Sequence, residues 1–179
     1  MRLRTGVVSI VALVVVACGP AAPAALPLGE EALVKYAEIV GSGYGPATDL
    51  AVTALAVRNG TVAELEAGGF DIDEDERNLT PVYVDARFEN RGTETISRQL
   101  RPGMENQDGD LINAVTILNF GGEPYANCMD NSTDEDLAPG DSFETCTLFF
   151  LQPGETAARV SFLPIDPGND VDWVYWNTK

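Results

Sequence analysis

The clearest strand pattern in the chain is that of Pro81–Asn90, PVYVDARFEN. Apolar side chains occupy its even positions up to residue 88, and the odd positions from Tyr83 to Glu89 carry polar or amphipathic side chains. A strict period of two predicts a β-strand that buries one face and leaves the other in water. The turn-forming segment 90–92, NRG, ends this strand. On this alternation Tyr83 and Arg87 lie on the outer face, which makes them candidate contact residues.

Segments with β-strand character recur on both sides of this strand. Leu50–Arg58, LAVTALAVR, alternates weakly and stops at Asn59-Gly60, a strong hairpin or loop signal. Further strands are predicted at Leu111–Leu118, Ser142–Leu151, Thr156–Leu163 and Val171–Trp176. Helix is scarce, since only Glu30–Val40 and Val62–Ala67 suit one or two short helical turns. Strands at this spacing predict an all-β sandwich or barrel rather than a parallel sheet.

The N-terminal residues have the features of an export signal. Arg2 and Arg4 precede the apolar run Val7–Ala17, which is too short for a transmembrane helix of about 20 residues. The following segment 15–19, VVACG, resembles the lipobox of bacterial lipoproteins. This resemblance implies that residues 1–17 are removed as a signal peptide and that the thiol of Cys18 is diacylated. The alternative is an ordinary cleavable signal with a chance cysteine near its end.

A lipidated Cys18 would fix the location of the protein. Two acyl chains provide stable anchoring, which a single chain does not. Residues 18–29 are rich in Ala and Pro and are predicted to form a semi-rigid tether. The remaining residues, 30–179, have the length of one domain and can bury a core. We therefore expect a single domain held by its lipid anchor at the extracytoplasmic face of the bacterial cell membrane.

Composition restricts the classes of function. The chain has 28 Asp and Glu against 11 Lys and Arg, and loss of Arg2 and Arg4 with the signal leaves a net charge of −19. Such a charge repels nucleic acid, so no nucleic-acid partner is expected. The chain contains no histidine, the usual general base and the commonest metal ligand. Because no pair of carboxylates is singled out by its spacing, we predict a non-catalytic protein that needs no cofactor.

Cys128 and Cys146 are predicted to form a structural disulfide. They lie 18 residues apart in an exported domain, and oxidising compartments favour pairing. Closing this loop would contribute roughly 3 kcal/mol in the chain-entropy model. A redox or catalytic role is not expected, because neither cysteine belongs to a Cys-x-x-Cys motif.

The order of these segments carries a family resemblance. TDLAVTALAVRNGT is followed by TPVYVDARFENRG, a cysteine loop, LAPGDSFETCTLFFLQPGE and a final VDWVYW. Two Pro-Gly-acid turns, at 139–141 and 153–155, flank the strand between them. This arrangement, over Thr48–Trp176, resembles the small immunoglobulin-like extracellular lipoproteins of high-GC Gram-positive bacteria, which are mostly domains of unknown function. The resemblance implies an immunoglobulin-like antiparallel β-sandwich at the cell surface, without catalytic residues to assign.

The last predicted strand offers a candidate binding surface. Trp173, Tyr175 and Trp176 lie close together near the end of the chain, and exposed aromatic side chains are favoured anchors in interfaces. With Tyr83 and Arg87 they would form the binding surface for a protein or a component of the cell envelope. The alternative is that the aromatic side chains of this strand fill the core of the sandwich.

An acidic segment suggests a second function. Asp71, Asp73 and Asp75 have the alternating spacing that opens a calcium-binding loop. The match then fails, because Glu76 replaces the glycine of position six and Val82 replaces the glutamate of position twelve. A calcium-binding domain that uses these residues with acidic residues of the cysteine loop is the alternative function; solvated surface charge is the other interpretation of the segment.

A glycine-rich segment is assigned no function from the sequence. Residues 41–45, GSGYG, lack the lysine that follows a phosphate-binding loop, and no strand-to-helix context surrounds them. We interpret the segment as a flexible linker.

Overall fold

A computed structural model describes residues 24–97, 99–115, 127–128, 136–169 and 172–179. The strands are β1 Leu26–Pro27, β2 Glu31–Tyr36, β3 Ile39–Val40, β4 Gly43–Tyr44, β5 Thr48–Asn59, β6 Thr80–Asn90, β7 Ile96–Ser97, β8 Gly103–Asn106, β9 Leu111–Ile112, β10 Ala114–Val115, β11 Asp136–Leu137, β12 Ser142–Leu151, β13 Ala157–Phe162 and β14 Val174–Asn177. Helix is confined, in these ranges, to α1 Val62–Ala67 and a 3₁₀ turn at Glu76–Asn78.

Two five-stranded sheets pack face to face. Sheet 1 has the strand order β10-β12-β6-β5-β2, and sheet 2 has the order β1-β14-β13-β8-β9. Their strands pair antiparallel except for β1, which runs parallel to β14. Two short ladders, β3-β4 and β7-β11, complete the described part. The predicted all-β sandwich is thus confirmed, with a helix of six residues between β5 and β6.

The core between the sheets follows the predicted alternation. Val82, Val84, Ala86 and Phe88 of β6 are all at most 1% exposed and face inward. They meet Met104 of β8 and other inward side chains of sheet 2, namely Val160, Phe162 and Trp176. The strand at Ser142–Leu151 has the predicted bounds, and β6 begins one residue earlier than predicted.

The segment Glu30–Val40 does not form helical turns. It contains β2, which pairs with β5, and β3, which pairs with β4 in a tight hairpin. Ala32, Val34 and Tyr36 pack against the core. The outward position of Leu33, which is 60% exposed, obscures the period of two in the sequence. Gly43–Tyr44 is β4, so the segment predicted to be a flexible linker forms part of a β-hairpin.

Two other predictions about the course of the chain are wrong, and the strands predicted at Leu50–Arg58, Thr156–Leu163 and Val171–Trp176 are observed as β5, β13 and β14 with shifted ends. Leu111–Leu118 does not form one strand, because Leu111–Ile112 pairs in sheet 2 and Ala114–Val115 pairs in sheet 1, while residues 116–118 lie outside the described ranges. The domain also begins before residue 30. Leu26–Pro27 pairs with β14, and its apolar side chain at 26, together with Leu28, covers the edge of the core. Cys18 lies outside the described residues.

The two ends of the sandwich differ in composition. The hairpin pole holds the β3–β4 hairpin, the end of β6 and the starts of β5 and β14. A hydrogen bond of 2.7 Å from the Ala37 amide to the Ile165 carbonyl joins the two sheets there. The opposite pole holds the ends of β5, β12 and β14. Because β1 is parallel to β14, the chain enters β1 from the direction of the hairpin pole.

Candidate functional site

The outer face of sheet 1 is divided into two parts. The covered end consists of Leu65, Ile72, Tyr83, Cys128, Cys146 and Leu148, which form a second apolar cluster outside the sheet. The open groove is lined by Gly29, Glu31, Ala51, Thr53, Leu55, Arg87, Glu89 and Arg91, with a volume of about 260 Å³. Strand β6 contributes to both, with Tyr83 at the covered end and Arg87 in the groove.

Helix α1 and the disulfide build the covered end. The helix begins with a capping box, in which the Thr61 hydroxyl accepts from the Glu64 amide and the Glu64 carboxylate accepts from the Thr61 amide. These two hydrogen bonds fix the first turn of α1. Leu65 packs against the sheet and is only 1% exposed. Cys128 and Cys146 are bonded as predicted, with a Cα–Cα distance of 5.1 Å. The disulfide attaches the cysteine loop to the middle of β12.

Arg58 ties the same end to β6. Its guanidinium donates to both carboxylate oxygens of Asp85, at 2.8 and 2.9 Å, and to the Asn127 carbonyl at 2.9 Å. It also lies 5.3 Å from the centre of the Tyr83 ring, within the range of a cation–π contact. One arginine therefore links β5, β6 and the cysteine loop.

The prediction that Tyr83 is a surface contact residue is wrong. Tyr83 points to the outer face of sheet 1, as the alternation requires, but its side chain is only 2% exposed. The cause is a second layer, formed by α1, Ile72 and Cys128, that covers this end of the face. Gly60 lies so close that an added Cβ would be 2.4 Å from the Tyr83 ring.

The open groove has a floor of small side chains and a charged rim. Ala51 and Thr53 of β5 form part of the floor, where no helix or loop of the described chain covers the sheet. On the rim, Arg91 donates to both carboxylate oxygens of Glu31 at 2.6 and 2.7 Å and to Glu89 at 3.1 Å. The hydrogen bond with Glu89, followed by the charge of Glu31, raises the pKa of Arg91.

Arg87 is the predicted contact residue that the structure leaves at the surface. Its guanidinium donates to the Ser142 hydroxyl at 3.1 Å and to Glu89 at 3.5 Å, and 46% of its side chain is exposed. The long contact with Glu89 is weak by the usual geometry of hydrogen bonds. The guanidinium therefore retains donor capacity toward the groove.

The aromatic residues of the last strand do not form one exposed platform. Trp176 is fully buried in the core, where its indole nitrogen donates to the Glu30 carbonyl at 2.7 Å. Tyr175 faces the other way but is only 8% exposed, because Trp173 stacks on one part of it and Arg159 lies 4.2 Å from its ring centre. Trp173 alone is partly exposed. This part of the surface prediction is wrong, since the strand is only four residues long and is covered on both faces.

The charges around Tyr175 form a compact cluster. Arg159 donates through Nε to Glu105 at 3.0 Å, and Glu105 is 5% exposed. Burial of the Tyr175 ring, and secondarily the charge of Glu105, raises the pKa of its hydroxyl, whereas the nearby guanidinium opposes this shift. A buried, paired carboxylate of this kind stabilises the packing of sheet 2 without presenting a ligand site.

The acidic segment does not converge. Asp71, Asp73 and Asp75 are exposed, and no three acidic or cysteine side chains in the described ranges are grouped to hold a metal ion. Ile72 explains the arrangement, because its side chain packs into the covered end and forces the flanking carboxylates outward. Of the loop residues that would complete such a site, Asp130, Asp134, Glu135 and Asp136, only Asp136 lies within the described ranges. Within the described residues, the carboxylates of the acidic segment therefore form no calcium site.

The open groove was not predicted as a whole from the sequence. Its floor was indicated only indirectly, by small residues at alternate positions of β5, where Ala51 and Thr53 separate inward-facing apolar side chains. The rim combines β2, β6 and the loop after β6, and their register is not readable from the sequence. In the part of the chain that the structure describes, the fold and groove together define a β-sandwich with one partly uncovered sheet face.

Comparisons with known proteins agree with this fold. No family model and no curated protein matches the chain. Its fold is similar to that of the secreted protein MPT63 from Mycobacterium tuberculosis, with a TM-score of 0.51 and 12% sequence identity over 88% of this chain and 98% of that one. At this identity the similarity establishes the fold alone. Within the described residues, no helix is long and apolar enough to cross a membrane.

Proposed function

We propose that the protein is a lipid-anchored, extracytoplasmic β-sandwich that acts as a non-catalytic binding module for a protein or another component of the cell envelope. The open groove is the observation on which this proposal rests. The neighbour in fold is a secreted protein, and the disulfide fits an oxidising compartment. The lipobox-like segment supplies the anchor at Cys18.

The chemistry of the groove suits an uncharged or basic partner. Its floor is partly exposed at Thr53, and Leu33, exposed beside the buried Ala51, adds apolar area. The Arg91–Glu31 pair is 44% and 37% exposed in its side chains, so its exchange for pairs with a partner costs little. With a net charge of −17, the chain would repel a strongly acidic ligand.

The anchor is tested by replacing the acylated residue. The full-length chain is expressed in a bacterium that processes lipoproteins, and its membrane fraction and mass are determined for the wild type and for Cys18→Ala. We expect the wild type in the membrane with a mass increase that corresponds to diacylation, and the variant without either. A wild type that is released unmodified would contradict the anchor.

The binding role is tested by site-specific photocrosslinking in intact cells. A photoreactive amino acid is placed at Leu33, beside the groove, and in the control at Leu111, which is similarly exposed (60% against 55%) but lies on sheet 2. We expect a discrete adduct from position 33 that is absent from position 111 and weakened by Arg87→Ala. Identical adduct patterns from both positions would argue against the groove as the binding site.

A further inference from the structure

The β3–β4 hairpin presents an unusual apolar surface for so acidic a chain. Ile39, Val40 and Tyr44 are 66%, 62% and 58% exposed. They belong to ten consecutive residues without a charge, 39–48, whereas charged residues make up 22% of the chain. Contiguous exposed apolar surface of this kind marks an interaction site more often than scattered single residues do.

Exposed apolar side chains are concentrated at the hairpin pole. Six large hydrophobic residues are exposed in the described part of the chain, and four of them are at this pole: Ile39, Val40, Tyr44 and Leu163, which follows β13. The other two are Leu33 on the flank of sheet 1 and Leu111 toward the opposite pole. The surface is therefore polarised along the long axis of the sandwich.

The direction of the chain places the first described residue, Ala24, on the same side. Leu26–Pro27 runs parallel to β14, whose first residue lies at the hairpin pole, so the preceding residues approach from that pole. Five residues, 19–23, lie between Cys18 and the first described residue, and the six Cα–Cα steps of this linker span at most about 21 Å when extended. Strand β5 alone, with its 12 residues, is about 40 Å long. By the register of β1 with β14, Ala24 lies level with Val174 at the hairpin pole, so the linker starts nearer to the hairpin pole than to the ends of β5 and β12.

From these observations we infer that the β3–β4 hairpin is a membrane-contacting element: Ile39, Val40 and Tyr44 insert into the interfacial region of the bilayer that holds the acyl chains of Cys18. The inference rests on the lipid anchor of the proposed function. Aliphatic side chains with a flanking tyrosine match the composition that favours the membrane interface. An uncharged hairpin also avoids the electrostatic repulsion that the acidic remainder of the chain would experience at an anionic surface. The sandwich then stands upright, with the opposite pole away from the lipid.

An environment-sensitive label on the lipidated full-length protein tests this orientation. The acylated Cys18 and the bonded Cys128 and Cys146 leave an introduced cysteine as the one thiol for labelling. Val40→Cys, Leu33→Cys and Leu111→Cys are labelled separately with a nitrobenzoxadiazole dye and reconstituted in phosphatidylcholine vesicles. The three positions are 62%, 60% and 55% exposed, which makes them matched. We expect a blue shift and an intensity gain only at position 40, and quenching there by nitroxide lipids.

The outcomes separate the inference from the proposed function. Membrane association and acylation are verified first, on the same samples. The reference is the emission of the label at position 40 in the unlipidated Cys18→Ala protein in detergent-free solution. If the anchored protein gives the same emission, the hairpin does not touch the membrane. The inference is then overturned, while the anchor stands. A shift at position 33 instead of position 40 would show that the domain lies on its side, which also overturns it. If acylation itself is absent, the proposed anchor and this inference both fail.

Discussion

The two ends of the outer face of sheet 1 are built by the same strand and have opposite surroundings. Tyr83 and Arg87 of β6 point in the same direction, four residues apart, yet Tyr83 is buried and Arg87 is exposed. The difference arises from α1, Ile72 and Cys128, which cover one end, whereas no described helix or loop covers the other. The alternation of a strand thus specifies the face of a side chain, and more distant segments decide whether that face meets water.

The largest expected effect is the loss of the tyrosine ring from the covered end. Tyr83→Ala removes the largest side chain of the second cluster together with its contact to Arg58, and we expect a decrease of about 3–5 kcal/mol in the free energy of unfolding. The matched variant Arg87→Ala, on the same strand and face, changes it by no more than about 0.5 kcal/mol. Urea unfolding followed by tryptophan fluorescence measures both. Similar decreases in the free energy of unfolding for the two variants would mean that the two ends of the face do not differ in their contribution to stability.

This contrast also delimits what the sequence could predict. Period two correctly assigned the inward residues of β6, and the Pro-Gly turns located β12 to the residue. Such signals are local, so they can be interpreted without knowledge of the fold. The burial of Tyr83 depends on Leu65 and Cys128, which are far from it in the chain, and no local pattern reports that contact.

The candidate site was less predictable than the fold for the same reason. Arg87 was identified because it alternates with core residues, but the groove around it requires the register of β2 against β5 and of β5 against β6. A register shift lies between Ala54 and Ala56, and it is not visible in the composition of β5. Leu26–Pro27 pairs with β14, the last strand of the chain. Because no local pattern near residue 26 indicates this pairing, the sequence predicts these residues as part of the tether.

The second effect in size concerns the disulfide. Replacing Cys128 and Cys146 by alanine opens a loop with a sequence separation of 18, and we expect a loss of roughly 3 kcal/mol in the free energy of unfolding. Reduction of the wild type should produce the same loss. Thermal unfolding of oxidised, reduced and double-alanine proteins gives the comparison. Unchanged stability in the double variant would show that the cysteine loop does not hold the covered end together.

A smaller effect tests how tightly the covered end is packed. In Gly60→Ala the new Cβ meets the Tyr83 ring at 2.4 Å and its hydroxyl oxygen at 2.9 Å, so the ring must move. We expect a loss of about 1–3 kcal/mol, as for other overpacked sites. Gly43→Ala is the control, because nothing lies within 4 Å of its added Cβ. Chemical denaturation of both variants measures the difference, and equal stabilities would indicate that the ring yields without cost.

The smallest effect compares an ion pair from each end. Arg58–Asp85 lies beside the second layer, with 44% and 27% of its side chains exposed, whereas Arg91–Glu31 in the groove is 44% and 37% exposed. Double-mutant cycles to alanine should give a coupling of about 1 kcal/mol for the first pair and a clearly smaller coupling for the second. Arg91 retains Glu89 at 3.1 Å when Glu31 is removed, which lowers its coupling further. The groove pair should also weaken more with added salt, because it is better exposed to solvent. Equal couplings with equal salt dependence would mean that the second layer covers Tyr83 without changing the surroundings of the charges next to it.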